Sequence, residues 1–265
     1  MPELPEVEAV CRKLRKQATG ATIVAAHIER RRITAPQDPS DMEAQLSGRR
    51  IERIDRRGKN ILIALSGGIT VRVHLRMTGN LYVIPDFRLR TAHSSAWFEL
   101  ADGRGLLFED TRGLGTLVIC DGSALSDLGP EPLSRQFTAE ALVRAAAESR
   151  QPAKLFLMDQ RRIAGLGNIY AAEALFAAGV NPRTPIGSVS RPRVRRLHGA
   201  IVRILRDAVR SALRAYSRPG GFQEAEDFPA AVYGREGEPC VRCEAVIRRI
   251  TQGGRSTYYC PKCQR

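Results

Sequence analysis

The chain has 265 residues, 43% of them hydrophobic, and its 42 Lys and Arg residues outnumber 28 Asp and Glu residues to give a formal net charge of +14. This composition excludes an intrinsically disordered chain, and at roughly 100 to 200 residues per domain the length predicts two domains with substantial cores. No apolar run reaches the roughly 18 residues of a membrane span, and the amino terminus lacks the basic-then-apolar order of a secretory signal, so we expect a soluble intracellular protein.

The excess of positive charge favours a polyanionic partner. Each phosphate that Lys or Arg neutralises releases condensed counterions, which makes nucleic acid the leading candidate. The alternative is a basic surface that binds no partner. The positions of the Lys and Arg residues along the chain therefore matter for choosing between the two.

The amino-terminal half predicts one helix followed by many short strands. Apolar residues at helical spacing from Val7 to Leu14 predict a helix that ends near Gly20. The pattern between residues 22 and 120 changes to short β-rich runs separated by Gly, Asp and Pro, which is typical of a β-sandwich. The predicted strands are 22–28, 51–54, 60–65, 69–75, 81–84, 96–100, 105–108 and 116–119.

The carboxy-terminal half is predominantly helical, and the boundary is predicted between Gly122 and Phe137. The predicted helices are 139–148, 152–159, 168–178, which Gly179 closes, and 194–216. The last of these has apolar residues on one side and a stripe of arginines on another, as expected of a solvated face. The stripe consists of Arg203, Arg206, Arg210 and Arg214.

Two CxxC pairs near the carboxy terminus predict a zinc site. The pairs are Cys240 with Cys243 and Cys260 with Cys263. Four thiolates fill the tetrahedral shell of one zinc ion, so we expect a structural rather than a catalytic metal. Two disulfides are the alternative, which requires an oxidising compartment. Strands at 246–250 and 256–259 predict a hairpin between the pairs with Arg255 near its tip, whereas Cys11 and Cys120 are expected to be ordinary buried thiols.

The amino terminus combines a potential nucleophile with carboxylates. Removal of Met1 would leave Pro2 with a secondary α-amine, whose pKa near 8 makes it more nucleophilic than Lys at neutral pH. Glu3 and Glu6 lie within one helical turn of that amine, an arrangement that suits attack on a sugar carbon with a carboxyl group to move protons. The alternative is that Pro and Glu are ordinary residues of a first helical turn.

Several motifs together resemble one enzyme family. They are Pro2-Glu3-Leu4-Pro5-Glu6-Val7-Glu8, Arg57-Gly58-Lys59, His74-Leu75-Arg76-Met77-Thr78-Gly79, Gly129-Pro130-Glu131-Pro132-Leu133, Gly165-Leu166-Gly167-Asn168-Ile169-Tyr170 and the zinc hairpin. In this order they resemble the formamidopyrimidine-DNA glycosylase and endonuclease VIII family of base-excision repair enzymes, across nearly the whole chain. The opening motif and Val232-Tyr233-Gly234-Arg235 favour the formamidopyrimidine branch.

The resemblance implies an α+β fold in three parts: a catalytic β-sandwich domain at 1–128, a helix-two-turns-helix DNA-binding domain at 129–231 and a zinc finger at 232–265. It implies a monomer of the bacterial cytoplasm and nucleoid that excises oxidised or ring-opened bases from double-stranded DNA and cleaves the abasic site. Pro2 would be the nucleophile at C1′ that forms the Schiff base, and Glu3 the acid that assists sugar opening. Lys59 would be the third catalytic residue and would hold a phosphate at the lesion, and Asn168 and Arg255 would hold further phosphates.

An enzyme that extrudes a base must fill the gap left in the duplex. In the family a Met, an Arg and a Phe fill this gap; Met77 and Arg112 match the first two, but Leu114 replaces the aromatic third. The resemblance assigns further DNA contacts to His74, His93 and Lys154.

Three of these residues also have an ordinary structural interpretation. Lys59 would be a solvent-facing residue at a strand entry, Asn168 a helix cap, and Lys154 a helix residue whose charge reaches the surface.

Leu114 and the short loop at 218–231 depart from the family pattern. They favour ring-opened purines, oxidised pyrimidines or abasic sites over 8-oxoguanine as substrates. They also leave open a damaged-DNA-binding protein of the same fold with weak or lost catalysis. A zinc-ribbon accessory protein for transcription or RNA binding is a third, more distant possibility.

Overall fold

The computed structural model describes residues 2–121, 125–215 and 228–265. Contacts between Cα atoms divide the chain after Ser126: the first unit holds the residues before this point together with Ala215, and the second holds residues 127–214 and 228–265. Among the described residues, no helix combines the length and the apolar character that crossing a membrane requires.

The described part of the first unit is a β-sandwich, as the sequence pattern predicts, with two α-helices where the pattern predicts one. In chain order its elements are α1 (Leu4–Ala18), β1 (Ile23–Ile28), α2 (Pro39–Leu46), β2 (Ile51–Arg57), β3 (Asn60–Leu65), β4 (Ile69–His74), β5 (Gly79–Ile84), β6 (Ser94–Leu100), β7 (Gly105–Asp110) and β8 (Thr116–Cys120). One antiparallel sheet has the order β1-β6-β7-β5 and the other β2-β3-β4-β8. Apolar side chains of both sheets and of α1 share one buried core.

Helix α2 is absent from the sequence prediction. It begins at Pro39, and the side chain of Asp38 caps it by accepting a hydrogen bond from Ser40 N at 3.0 Å. Only Met42 and Leu46 are buried, because the helix has just eight residues. Two apolar positions are too few to give a helical periodicity, although Asp38 followed by Pro39 is a recognisable signal for the start of a helix.

Among the described residues, the second unit carries four α-helices and the hairpin. Its elements are α3 (Ala139–Ala147), α4 (Ala153–Met158), α5 (Asn168–Ala178), α6 (Arg191–Ala215), β9 (Arg248–Gln252) and β10 (Arg255–Tyr259). Gly179 ends α5 in the left-handed region with φ of 69°, which explains a glycine at that position. The four arginines of the predicted stripe on α6 are exposed, opposite its buried face. The predicted end of this helix at Tyr216 lies outside the described residues.

A second buried cluster joins α5 to the zinc hairpin. It contains apolar residues of α5, the Val232 side chain and the buried cysteines: Ala172, Phe176, Val232, Cys240, Ile247 and Cys260. The finger therefore packs on the helical part of the second unit through a shared core.

Candidate active site and nucleic-acid interface

Pro2 and Glu3 are buried where α1 begins. The two carboxylates predicted beside the terminal amine form a reciprocal capping box: Glu6 accepts a hydrogen bond from Glu3 N at 2.8 Å, and the Glu3 side chain accepts one from Glu6 N. The carbonyl of Glu3 accepts from Val7 N at 3.1 Å, which fixes the main chain next to Pro2. Both carboxylates are thus tied to the main chain of the first helical turn, and Glu3, which is 1% exposed, is the one next to Pro2 and therefore the candidate for proton transfer.

Lys59 lies in the two-residue turn between β2 and β3 and is 8% exposed. The interpretation as a solvent-facing residue is therefore wrong. Arg56 anchors this turn to α1, because its guanidinium donates to Glu8 Oε2 at 2.9 Å and to the Gly58 carbonyl at 2.9 Å. Burial raises the pKa of Glu8, but hydrogen bonds from Arg12 and Arg56 outweigh that effect and hold the pKa below its usual range. The ionised pair links the strand turn that carries Lys59 to the helix that begins beside Pro2.

His74 ends β4 and pairs in register with Asn60, the residue after Lys59. Its Nδ1 accepts a hydrogen bond from Arg76 N at 3.0 Å, which requires that this nitrogen carry no proton. Burial, and then the nearby cations Arg76 and Lys59, lower the pKa of His74 to about 4. At neutral pH the ring is uncharged with its proton on Nε2, where it can donate to a phosphate oxygen.

The predicted wedge residues lie on two neighbouring loops of the first unit. Met77, in the loop between β4 and β5, is 39% exposed. Arg112 is exposed and Leu114 is half-buried, and both lie in the loop between β7 and β8. Gly79 pairs with the last residue of β7, so the two loops leave the same end of one strand pair. His93 is exposed just before β6, the other neighbour of β7.

Lys154 is fully buried in α4, so the interpretation as a surface lysine is wrong. Its Nζ donates to the Ser256 carbonyl at 2.8 Å and to Thr257 Oγ1 at 2.7 Å, both in β10. As placed, this ammonium connects α4 to the zinc hairpin.

Asn168 is the first residue of α5, and the cap is Gly167, so the prediction of a capping side chain is wrong. The side-chain Nδ2 turns to the hairpin instead, donating to the Ser256 carbonyl at 3.1 Å and to Tyr233 Oη at 3.5 Å. Its Oδ1 is buried and has no hydrogen-bond partner among the described residues. Asn168 and Lys154 thus converge on one carbonyl of the hairpin.

Arg255 is exposed at the start of β10, beside the tip of the hairpin. The turn is shorter than the sequence suggested, because Gln252 and Arg255 already pair across the strands. Only Gly253 and Gly254 form it, with φ of 55° and 72°, a conformation that strongly favours glycine.

The four cysteines of the CxxC pairs meet at one point. Their Sγ atoms all lie within 4.8 Å of one another, with Cys243 Sγ at 3.5 Å from Cys260 Sγ and Cys240 Sγ at 3.9 Å from Cys263 Sγ. Tetrahedral ligation with Zn–S bonds of about 2.3 Å separates sulfurs by about 3.8 Å, so the set fits zinc. Backbone amides support the thiolates: Arg242 N donates to Cys240 Sγ, and Cys263 N to Cys260 Sγ, each at 3.4 Å.

The two remaining cysteines differ. Cys11 is buried in α1 as predicted, and burial raises the pKa of its thiol to about 12, which makes it a poor nucleophile. Cys120 is only half-buried at the end of β8, so for this residue the prediction is wrong.

Two buried carboxylates escaped the sequence analysis. Asp110 closes β7, and Glu173 lies in the middle of α5; they are 0% and 4% exposed. For Glu173 the available signal was an acidic residue within an otherwise apolar run, which in a buried element requires hydrogen-bond donors.

Three family models match consecutive parts of the chain. The amino-terminal domain of formamidopyrimidine-DNA glycosylase matches residues 1–117, the helix-two-turns-helix domain of the same enzyme matches 128–217, and a zinc finger found in this enzyme and in isoleucyl-tRNA synthetase matches 237–265. The chain belongs to the formamidopyrimidine-DNA glycosylase family. This confirms the resemblance, and the zinc-finger match together with the cysteine geometry confirms the predicted zinc site.

Relatives and solved structures agree over the full length. A formamidopyrimidine-DNA glycosylase of Chloroflexus aggregans is 42% identical over all of this chain and 98% of its own, and one of Ruegeria pomeroyi is 40% identical over all of both. A crystal structure of the Lactococcus lactis enzyme bound non-covalently to DNA with an AP site is 30% identical, covers all of both chains and has a TM-score of 0.89. Another, with DNA containing Fapy-dG, has the same identity and TM-score over 99% of this chain. The predicted α+β fold is confirmed.

Proposed function

We propose that this protein is a bifunctional DNA glycosylase and abasic-site lyase that removes oxidised or ring-opened bases from double-stranded DNA. The observation that carries the proposal is the Pro2 and Glu3 pair, buried at the start of α1 in a chain that matches the glycosylase family from end to end. The relatives bear the name of this enzyme, and the solved structures of the Lactococcus lactis protein hold AP-site or Fapy-dG DNA.

The chemistry follows from the groups at the amino terminus. Once Met1 is removed, the Pro2 nitrogen attacks C1′, the glycosidic bond breaks and the base leaves with its electron pair. Glu3 gives a proton to the ring oxygen O4′ as the sugar opens, which leaves an iminium between Pro2 and C1′. Loss of a proton from C2′ then expels the 3′ phosphate, and a second elimination expels the 5′ phosphate.

In this proposal the other predicted site residues bind the DNA. Lys59 supports the reacting nucleotide through a phosphate, and Arg255 and Asn168 hold phosphates in the second unit, consistent with a net charge of +14. His74, His93 and Lys154 are the further proposed DNA-contact residues. Domain boundaries at 128 and 231, a monomeric state and a cytoplasmic location belong to the same proposal.

Borohydride trapping tests the function directly. Reduction of the iminium links protein and DNA covalently, so wild-type protein should form an adduct with an abasic-site duplex, and Glu3→Gln should still bind the duplex but excise damaged bases far more slowly. Intact-mass measurement should show a chain without Met1. A protein that retains Met1 yet is fully active would contradict the assignment of Pro2.

Leu114 favours one second candidate, a damaged-DNA-binding protein of the same fold with weak glycosylase activity. Leucine can enter a base step but cannot stack as a phenyl ring does. Part of the loop that motivates the same alternative, residues 218–227, lies outside the described residues. Tight binding to damaged duplex without adduct or excision would identify this case, and the same assay with ring-opened purine, oxidised pyrimidine and 8-oxoguanine would rank the substrates.

A further inference from the structure

Asp110 is a fully buried carboxylate that the proposed chemistry does not use. Three donors converge on its side chain: Oδ1 accepts hydrogen bonds from Thr78 Oγ1 and, at 3.2 Å, from Arg112 N, while Oδ2 accepts from Gly115 N at 2.6 Å. Thr78 belongs to the loop after β4, and the other two donors belong to the loop after β7. The carboxylate therefore joins two loops that are more than thirty positions apart in sequence, as the separation of 32 between Thr78 and Asp110 shows.

The main chain of Asp110 makes three more contacts at the same place. Its N–H donates to the His93 carbonyl at 3.1 Å, and its carbonyl accepts from Gly113 N at 3.3 Å and from Arg30 Nη1 at 3.0 Å. The packing here is close: a Cβ on Gly115 would lie 2.5 Å from Phe108 Cζ and 3.1 Å from Asp110 Oδ2. The loop after β7 can approach the carboxylate this closely only because position 115 has no side chain.

Apart from the contact with Arg30, these contacts are made by proposed DNA-contacting residues or by their neighbours in the chain. Met77 precedes Thr78, and Leu114 lies between Gly113 and Gly115. Arg112 and His93 are bonded to Asp110 through their own main-chain atoms. We propose that Asp110 is a positioning residue that fixes the loops of Met77, Arg112 and Leu114 in the geometry needed to fill the gap left by an extruded base. The inference rests on the proposed function.

The carboxylate is suited to this task because it only accepts hydrogen bonds. An amide of the same shape offers one acceptor atom and one donor atom. Whichever way Asn is oriented at position 110, its NH2 group faces the N–H of either Arg112 or Gly115. Two buried donors then oppose each other, and one loop has to move. Small displacements of positioning groups cost up to about 100-fold in rate.

The test compares Asp110→Asn with a matched carboxylate-to-amide change at the neighbouring Glu109, whose side chain accepts from Tyr82 Oη at 2.8 Å and from Thr91. Single-turnover excision is measured on a duplex with one ring-opened purine, and affinity on the undamaged duplex. Asp110→Asn should slow excision about 10- to 100-fold and leave undamaged-duplex affinity within about twofold. Glu109→Gln should leave both unchanged.

Thr78 provides a second, milder variant that keeps the test decisive if Asp110→Asn fails to fold. Thr78→Val removes one donor to the carboxylate at constant shape and should slow excision about threefold to tenfold, whereas Thr78→Ser keeps the hydroxyl and should restore the wild-type rate. In a Met77→Ala background, Thr78→Val should have a smaller effect, because the loop it positions no longer carries the wedge.

Three outcomes would overturn the inference: wild-type excision rates in Asp110→Asn and Thr78→Val, equal losses of excision and undamaged-duplex binding, or an undiminished Thr78→Val effect in the Met77→Ala background. Failure of the proposed function looks different. In that case the wild-type protein itself would neither excise the base nor form the borohydride adduct.

Discussion

Glu173 makes the strongest single prediction about stability. Its carboxylate is 4% exposed and accepts three main-chain hydrogen bonds: from Ala231 N at 2.9 Å to Oε2, and from Val232 N at 2.9 Å and Tyr233 N at 2.8 Å to Oε1. These bonds fasten the segment that leads into the zinc finger to the middle of α5. Tyr233 in turn receives the side chain of Asn168.

Glu173→Gln changes this arrangement without changing its shape. The amide oxygen can still accept at the Oε1 position, but the NH2 group then faces the Ala231 N–H. Hydrogen bonds to charged groups contribute about 1.5–3 kcal/mol each, and an unsatisfied buried donor costs about 1–3 kcal/mol. One bond is lost, two are weakened and one donor is left unpaired, so we expect a loss of about 2–4 kcal/mol in the free energy of unfolding. At about 2–4 °C per kcal/mol for a protein of this size, Tm should fall by roughly 4–16 °C.

Thermal unfolding of the zinc-loaded protein measures this effect. Glu140→Gln is the matched control, because Glu140 is an exposed partner of Arg195 on the surface of the same unit, and its replacement should leave Tm unchanged. A Glu173→Gln protein that melts within 1 °C of wild type, on the order of the measurement error, would refute the reasoning that three buried donors depend on this charge.

Three further predictions concern the candidate site. Lys59→Ala or Arg255→Ala should weaken binding to all duplexes alike and make the salt dependence of log K shallower by about one unit each; an unchanged slope would remove that residue from the phosphate contacts. His74 should stay neutral in the free protein down to about pH 4. Because its pKa is lower in the folded than in the unfolded chain, its contribution to the free energy of unfolding is complete above the ordinary pKa of 6.5 and is lost as pH falls towards 4. An NMR titration of His74 with a midpoint near 6.5 would contradict this. Cys260→Ser should lower the zinc content below one ion per chain and weaken DNA binding while the sandwich stays folded; zinc-free wild-type protein with full affinity would contradict it.

The sequence predicted the elements whose hydrophobic pattern is local and strong. The bounds of β3 and α5 agree with their predictions, because β3 carries a dense apolar run between polar residues and α5 is closed by a glycine. Most other strands are one to three residues longer than predicted, since polar residues at their ends extend the hydrogen-bonded ladder without adding to the apolar pattern.

The sequence could not predict how buried polar groups are satisfied. Glu173 binds amides 58 to 60 positions away, and Lys154 binds atoms 102 and 103 positions away. Such contacts depend on which elements pack together, and a helical pattern shows only that one face is buried. From sequence alone, Lys154 was therefore equally consistent with a surface lysine, and Asn168 with a helix cap. Only the position of the hairpin beside them shows the partners of their side chains.

Lys154 and Asn168 both donate to the Ser256 carbonyl. The zinc site therefore supports these two side chains as well as the position of Arg255. Ser256 lies in β10, one residue after Arg255 and four before Cys260, in a hairpin of two strands that cannot be stable by itself. Without the metal, the hairpin loses the cross-link at its base, and the buried Lys154 ammonium loses its acceptors in β10. Loss of two hydrogen-bond acceptors destabilises a buried charge, so α4 and the start of α5 should rearrange with the finger. Cys260→Ser should therefore weaken duplex binding by more than Arg255→Ala does, because it disturbs Asn168 as well as the arginine.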